Sequence, residues 1–148
     1  MSEQRESSHI KDLGYTCVVA ATAPARARTT TNPYLLCALG WAVPGAAHLF
    51  LGRRKGVVFL VVLPAMFAFG LLLQGRIFPI DFSQPLVALA ALADVAIGAP
   101  FFIARGLGYG AGTVIAVTYE YGNTFLIVAG LLNTLTVIDV YDISVGRK

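Results

Sequence analysis

Residues 57–73 run Val-Val-Phe-Leu-Val-Val-Leu-Pro-Ala-Met-Phe-Ala-Phe-Gly-Leu-Leu-Leu without a single charge. At ~1.5 Å per residue a helix of that length reaches about 26 Å, close to the ~30 Å hydrocarbon core of a bilayer. A chain of 148 residues that is 57% hydrophobic and 13% charged cannot hide such a segment from water, because small domains leave much of their chain exposed. Lipid accepts it directly. The chain therefore reads as an all-α integral membrane protein whose first partner is the lipid bilayer.

Three further apolar segments flank this one, at residues 34–51, 85–104 and 123–140. Together they predict about four transmembrane helices arranged as two antiparallel hairpins. The first pair is joined by Gly52-Arg-Arg-Lys-Gly56, and a turn so short leaves the second helix no course except back along the first. Within residues 34–51, Pro44 lacks an N–H and stands next to Gly45, which predicts a kink or break inside the membrane. The third segment opens on Pro85, which a helix start tolerates, and is rich in alanine. Ala90, Asp94 and Gly98 recur every four residues, with Ala88, Leu92, Ala96 and Pro100 as a neighbouring row, so this helix reads as one that packs closely against another.

Residues 1–33 are mixed and polar and include Ala-Pro-Ala-Arg-Ala-Arg-Thr-Thr-Thr-Asn32. They read as a flexible tail ahead of a transmembrane domain at 34–148, since nothing there buries enough to order itself and no long apolar core precedes a cleavage site. Residues 106–122 combine five glycines with a short Val-Ile-Ala-Val piece, expected to be a loop with an interfacial or re-entrant stretch. The glycine series has no preceding strand and no Walker lysine, so it is read as a flexible connection and not as a phosphate-binding loop.

A net charge of +3 is not evidence of nucleic-acid binding. The basic residues are scattered apart from Arg53-Arg54-Lys55, and short basic clusters beside apolar segments are normal at a membrane boundary. Cys17 and Cys37 stand in no metal or disulfide spacing, and no cofactor is implied.

Polar residues inside apolar segments are the candidate functional positions. Asp94 stands near the middle of the third segment, where an ionised carboxylate costs at least ~2.5 kcal/mol. It needs a partner, for which Asn133 or Thr134 are the expected hydrogen-bonding groups, or it serves as an ion or proton site in a small transporter or channel component. His48 has no second histidine near enough to share a metal and is expected to hydrogen-bond backbone. Asn133, Thr136 and Asp139 lie three apart on the last helix and are expected to face protein. Glu120 between Tyr119 and Tyr121 suits an interfacial cluster. Without a paired nucleophile and base, the chain is expected not to be an enzyme. The preferred reading is a structural, accessory or assembly subunit that packs against itself or another membrane protein through Ala90, Gly98 and the polar last helix.

The stretch Gly40-Trp-Ala-Val-Pro-Gly-Ala-Ala-His-Leu-Phe-Leu-Gly-Arg-Arg-Lys-Gly56 resembles the hairpin of the two-transmembrane-helix domain family. It departs from the commoner pattern at Ala46-Ala47 and at Leu49. With Thr118-Tyr-Glu-Tyr-Gly-Asn-Thr-Phe125 and Asp139-Val-Tyr-Asp-Ile-Ser-Val-Gly-Arg-Lys148, the whole chain looks like an uncharacterised bacterial membrane-protein family carrying that hairpin. The resemblance implies a multi-pass protein of the bacterial inner membrane and no activity. Four crossings place both termini on one side, taken as cytoplasmic, with Arg53, Arg54, Lys55 and Arg105 opposite them.

Overall fold

Asn32 caps the first helix: its side-chain oxygen accepts the Tyr34 N–H at 3.1 Å, and Pro33 fills the first helical position. The computed structural model describes residues 32–147, so the expected tail at 1–33 lies almost wholly outside the described residues. Six helices follow: α1 (Pro33–Ala42), α2 (Ala46–Phe50), α3 (Lys55–Leu72), α4 (Pro85–Ala96), α5 (Ala99–Gly106) and α6 (Tyr119–Ser144). No strand occurs among the described residues.

Two of these helices, α3 and α6, are long and apolar enough to cross a membrane, and α4 with α5 makes a third candidate if the bent pair is one span. Their outward faces are apolar. Val57, Val58, Val61, Val62 and Leu72 on α3, and Leu131, Leu135 and Ile138 on α6, are all exposed, a surface suited to hydrocarbon and costly in water. α3 passes Pro64 without interruption. The two helices run antiparallel. Thr118 Oγ1, just before α6, donates to the Leu73 carbonyl just after α3, and Phe69 meets Phe125 edge-on with ring centroids 5.1 Å apart.

The first expected crossing, residues 34–51, doubles back instead. Val43 takes an extended conformation, Pro44 cannot continue the hydrogen-bond ladder, and Gly45 adopts φ +81°, a region that side chains disfavour. A Cβ on Gly45 would also lie 2.5 Å from the Gly56 carbonyl oxygen. In a straight helix Gly40 and Ala47 would be about 10 Å apart, yet a Cβ on Gly40 would stand 3.3 Å from that of Ala47. Leu36, Ala47 and Val140 form one buried cluster with Leu51 packed against it. The proline-glycine break predicted from sequence is present, and its consequence is reversal of the chain. The stretch that resembles a hairpin between two crossings is thus a half-length helical hairpin followed by α3.

The third expected crossing also reverses. α4 and α5 are bent by 103° at Ile97–Gly98, where Gly98 has φ +78°. Phe101 and Ala104 of α5 return to the main core with Leu63, Phe67, Ile77, Ile97, Leu126 and Ala129. α4 is anchored along α6 by a contact only glycine permits: a Cβ on Gly130 would be 1.7 Å from the Ala93 carbonyl oxygen.

The chain is thereby two units of one plan, each a half-length helix, a break at a glycine of positive φ, a short returning helix and a long helix. Gly45-Ala46 and Gly98-Ala99 open the two returning helices. The units enter from opposite ends. α1 and α2 lie against the C-terminal half of α6, whereas the connection before α4 and the loop after α5 lie at its N-terminal end, through Arg76 N to Asn123 and Ile77 N to Gly110. The last segment is longer than the expected 123–140, because Tyr119-Glu-Tyr-Gly122 joins the helix. Residues 107–118 form turns and irregular backbone, as expected of a loop, and expose Val114, Ile115 and Val117.

Candidate functional site

The two reversals meet at the middle of α6, at Asn133. Its side-chain nitrogen donates to the Ala96 carbonyl at 2.9 Å and to the Trp41 carbonyl at 3.3 Å. Both acceptors lie in the last turns of broken helices, where carbonyls have no intrahelical partner. A single carboxamide satisfies both. Thr136 completes the group, its hydroxyl donating to the Asn133 backbone carbonyl at 2.7 Å and reaching the Asn133 side-chain oxygen at 3.2 Å. Gly98 faces the Trp41 carbonyl so closely that a Cβ would stand 1.9 Å from it. The small residue is required there, at the junction of two chain breaks and not on a continuous helix face.

Nearer the end of α6, His48 Nε2 lies 3.1 Å from Asp139 Oδ2. The imidazole is 2% exposed and lies beside the Phe59 ring, with centroids 5.2 Å apart. The backbone partner expected for His48 is replaced by this carboxylate, brought close by the reversal at Pro44–Gly45. With its proton on Nε2 the ring donates to Asp139, tying α2 to α6. Nδ1 is buried without a hydrogen-bond partner among the described residues.

Asp94 is fully buried, as its place in the third segment implied, but its partner is neither Asn133 nor Thr134. Oδ2 accepts the Phe78 N–H at 3.0 Å, and Oδ1 has no partner among the described residues. Thr134 instead bonds back to the Gly130 carbonyl of its own helix. Asn123, the first residue of the expected last segment, is a further anchor, its side-chain oxygen accepting the Arg76 N–H at 2.8 Å. Asp94 and Asn123 together fasten the connection between α3 and α4, whose extended backbone would otherwise leave donors unmet. An amide so close to the start of an apolar run was the available signal.

Alongside α4 and α6 runs an open groove of about 730 Å³, with Ala90, Ala93 and Ala96 on one wall and Ile127, Leu131 and Thr134 on the other. Ala90 is half-buried there. Glu120 lines one end. Among the described residues no group of three or more His, Cys, Asp or Glu side chains could hold a metal ion.

Fold and site together define a small helical protein whose long helices have apolar outer faces and whose buried polar side chains fasten broken backbone. The chain belongs to DUF6677, a family of unknown function, whose model matches residues 35–148. That range covers all six helices except the first two residues of α1. No curated protein and no solved structure matches the chain.

Proposed function

We propose that the protein is a multi-pass membrane protein with two full crossings, α3 and α6, and two hairpins, α1–α2 and α4–α5, that dip into the bilayer from opposite faces. Support comes from the apolar outer faces and from polar side chains placed where the broken helices leave carbonyls unmet. In this arrangement the start of α1, the turn Arg53-Arg54-Lys55 and the C-terminal Arg147 share one face. The other face carries Arg76 and Arg105 with Asp81 and Glu120. The positive-inside bias then puts the first face, with both termini, in the cytoplasm. This revises the sequence-based division of charge, which set Arg53–Lys55 against the termini.

Its role is that of a non-enzymatic accessory or assembly subunit that receives a transmembrane helix of another membrane protein in the α4–α6 groove. The observation carrying this reading is the groove itself, walled by three alanines that let a neighbouring backbone approach closely. Substitution Ala90→Leu tests it, because Ala90 lines the groove without supporting the junction. In affinity purification from native membranes, the wild-type chain retains a membrane companion and the variant loses it. Equal recovery with both would overturn the proposal. Gly98→Leu is unsuitable, since it would break the contact with Trp41.

A second reading rests on the unpartnered Oδ1 of buried Asp94, which would serve as a proton-carrying group in a small transporter. Asp94→Asn would then abolish pH-dependent flux in proteoliposomes with folding intact, and unchanged flux would dismiss it.

A further inference from the structure

The glycine series after α5 does more than connect. Gly108, Gly110 and Gly112 all have positive φ, and the loop pairs with the connection after α3 through Ile77 N to Gly110 O at 2.9 Å and Thr113 N to Gln74 O at 3.3 Å. Side chains on Gly110 or Gly112 would lie 2.5 and 2.6 Å from the side chains of Ile77 and Arg76. This pairing closes a basin of about 430 Å³ whose lining includes Arg76, Arg105, Tyr109 and the backbone of Gly108 and Gly110, and no acidic residue.

Among the described residues neither guanidinium meets a carboxylate. The ion pairs among the described residues are His48–Asp139 and Arg147–Asp142, and Arg105 rests 6.0 Å above the Phe101 ring. Asp81, the nearest acid along the chain, is turned to its own Asx turn, accepting from Ser83 N at 2.9 Å and Ser83 Oγ at 2.7 Å. Those bonds hold its carboxyl below the usual carboxylate range.

Around the basin, Phe102, Ile103 and Leu107 are exposed, so the arginines stand where hydrocarbon-facing surface ends. Lipid phosphates lie at that level, and the exposed Tyr109 suits the same interface. Arginine's planar fork matches a phosphate group bidentately.

We propose that Arg76 and Arg105 bind the phosphate of an anionic phospholipid headgroup, in a basin shaped by the glycine loop on the face opposite the start of α1 and the end of α6.

The test is native mass spectrometry of the full chain in zwitterionic detergent, titrated with dioleoyl phosphatidylglycerol, dioleoyl phosphatidylcholine or inorganic phosphate. Wild-type protein retains phosphatidylglycerol over phosphatidylcholine by at least about tenfold, from two charges at the surface. R76Q/R105Q loses that preference, R76K/R105K keeps most of it, and R54Q at the other end is unaffected. Both arginines are exposed, and the side-chain changes leave the Arg76 N–H bonded to Asn123. Displacement of the lipid by millimolar phosphate would keep the two-arginine site and assign it to the free anion. Retention of phosphatidylglycerol by R76Q/R105Q at the wild-type level, or equal retention of both lipids by wild type, would overturn the proposal.

Discussion

Replacing Asn133 by alanine removes a side chain that joins both broken helices to α6. Two hydrogen bonds from its side-chain nitrogen are lost, to Ala96 and Trp41, and the Thr136 hydroxyl loses one of its two acceptors. Hydrogen bonds between membrane helices average about 0.6 kcal/mol and reach ~1.7, so the two bonds alone contribute about 1 to 3 kcal/mol. The upper part of that range applies here, because the carbonyls left behind are fixed at chain breaks and cannot return to a helix ladder. The assay is reversible unfolding of purified protein in mixed micelles titrated with sodium dodecyl sulfate. Thr134→Ala is the matched control: it sits one residue away, is exposed, and bonds only within its own helix, so its cost is expected below about 0.5 kcal/mol. If Asn133→Ala cost no more than Thr134→Ala, the role assigned to Asn133 at the junction would be wrong.

Single cysteines at Lys55 and Arg147 are expected to react together with a membrane-impermeant reagent, on the side opposite a cysteine at Asp81. Labelling of the first two from opposite sides would restore an odd number of crossings between them. Gly130→Val places a side chain where the Ala93 carbonyl stands, and overpacking against backbone is expected to cost at least about 3 kcal/mol, read as failure to recover monodisperse protein in detergent. His48→Phe removes the tie to Asp139, and proteolysis within residues 43–52 should accelerate several-fold, whereas His48→Gln, which can still donate, should lie between the two. Equal rates in all three forms would show that the pair does not hold α2.

Much of the helix content was legible from apolar runs alone, because an uncharged run as long as residues 57–73 exceeds the length of an ordinary strand. The break at Pro44 was legible too, since proline removes a donor whatever surrounds it. Its outcome was not. A break allows either a kinked crossing or a reversal, and the choice depends on whether Ala47 finds a surface at Gly40 and Val140. The third segment misled for a related reason: the four-residue spacing of Ala90, Asp94 and Gly98 assumed one continuous helix, while the positive φ of Gly98 ends that helix and puts the residue at a turn.

Candidate residues divide the same way. Sequence singled out Asp94, His48, Asn133 and Asp139 because polarity in an apolar segment demands a partner. Every partner named for them in advance was displaced by the fold, His48 going to Asp139 and Asp94 to Phe78, because hydrogen-bonding partners 16 to 92 residues apart depend on where the chain reverses. The amino-acid order by itself determined that this protein is helical, apolar on its outer faces and interrupted at set points, since those follow from local sterics and solvation. The tertiary structure alone decided which interruptions send the chain back, and hence that the basic turn and the end of α6 share one end and that two arginines line one basin at the other. Those are consequences of packing between distant segments, which no local rule encodes.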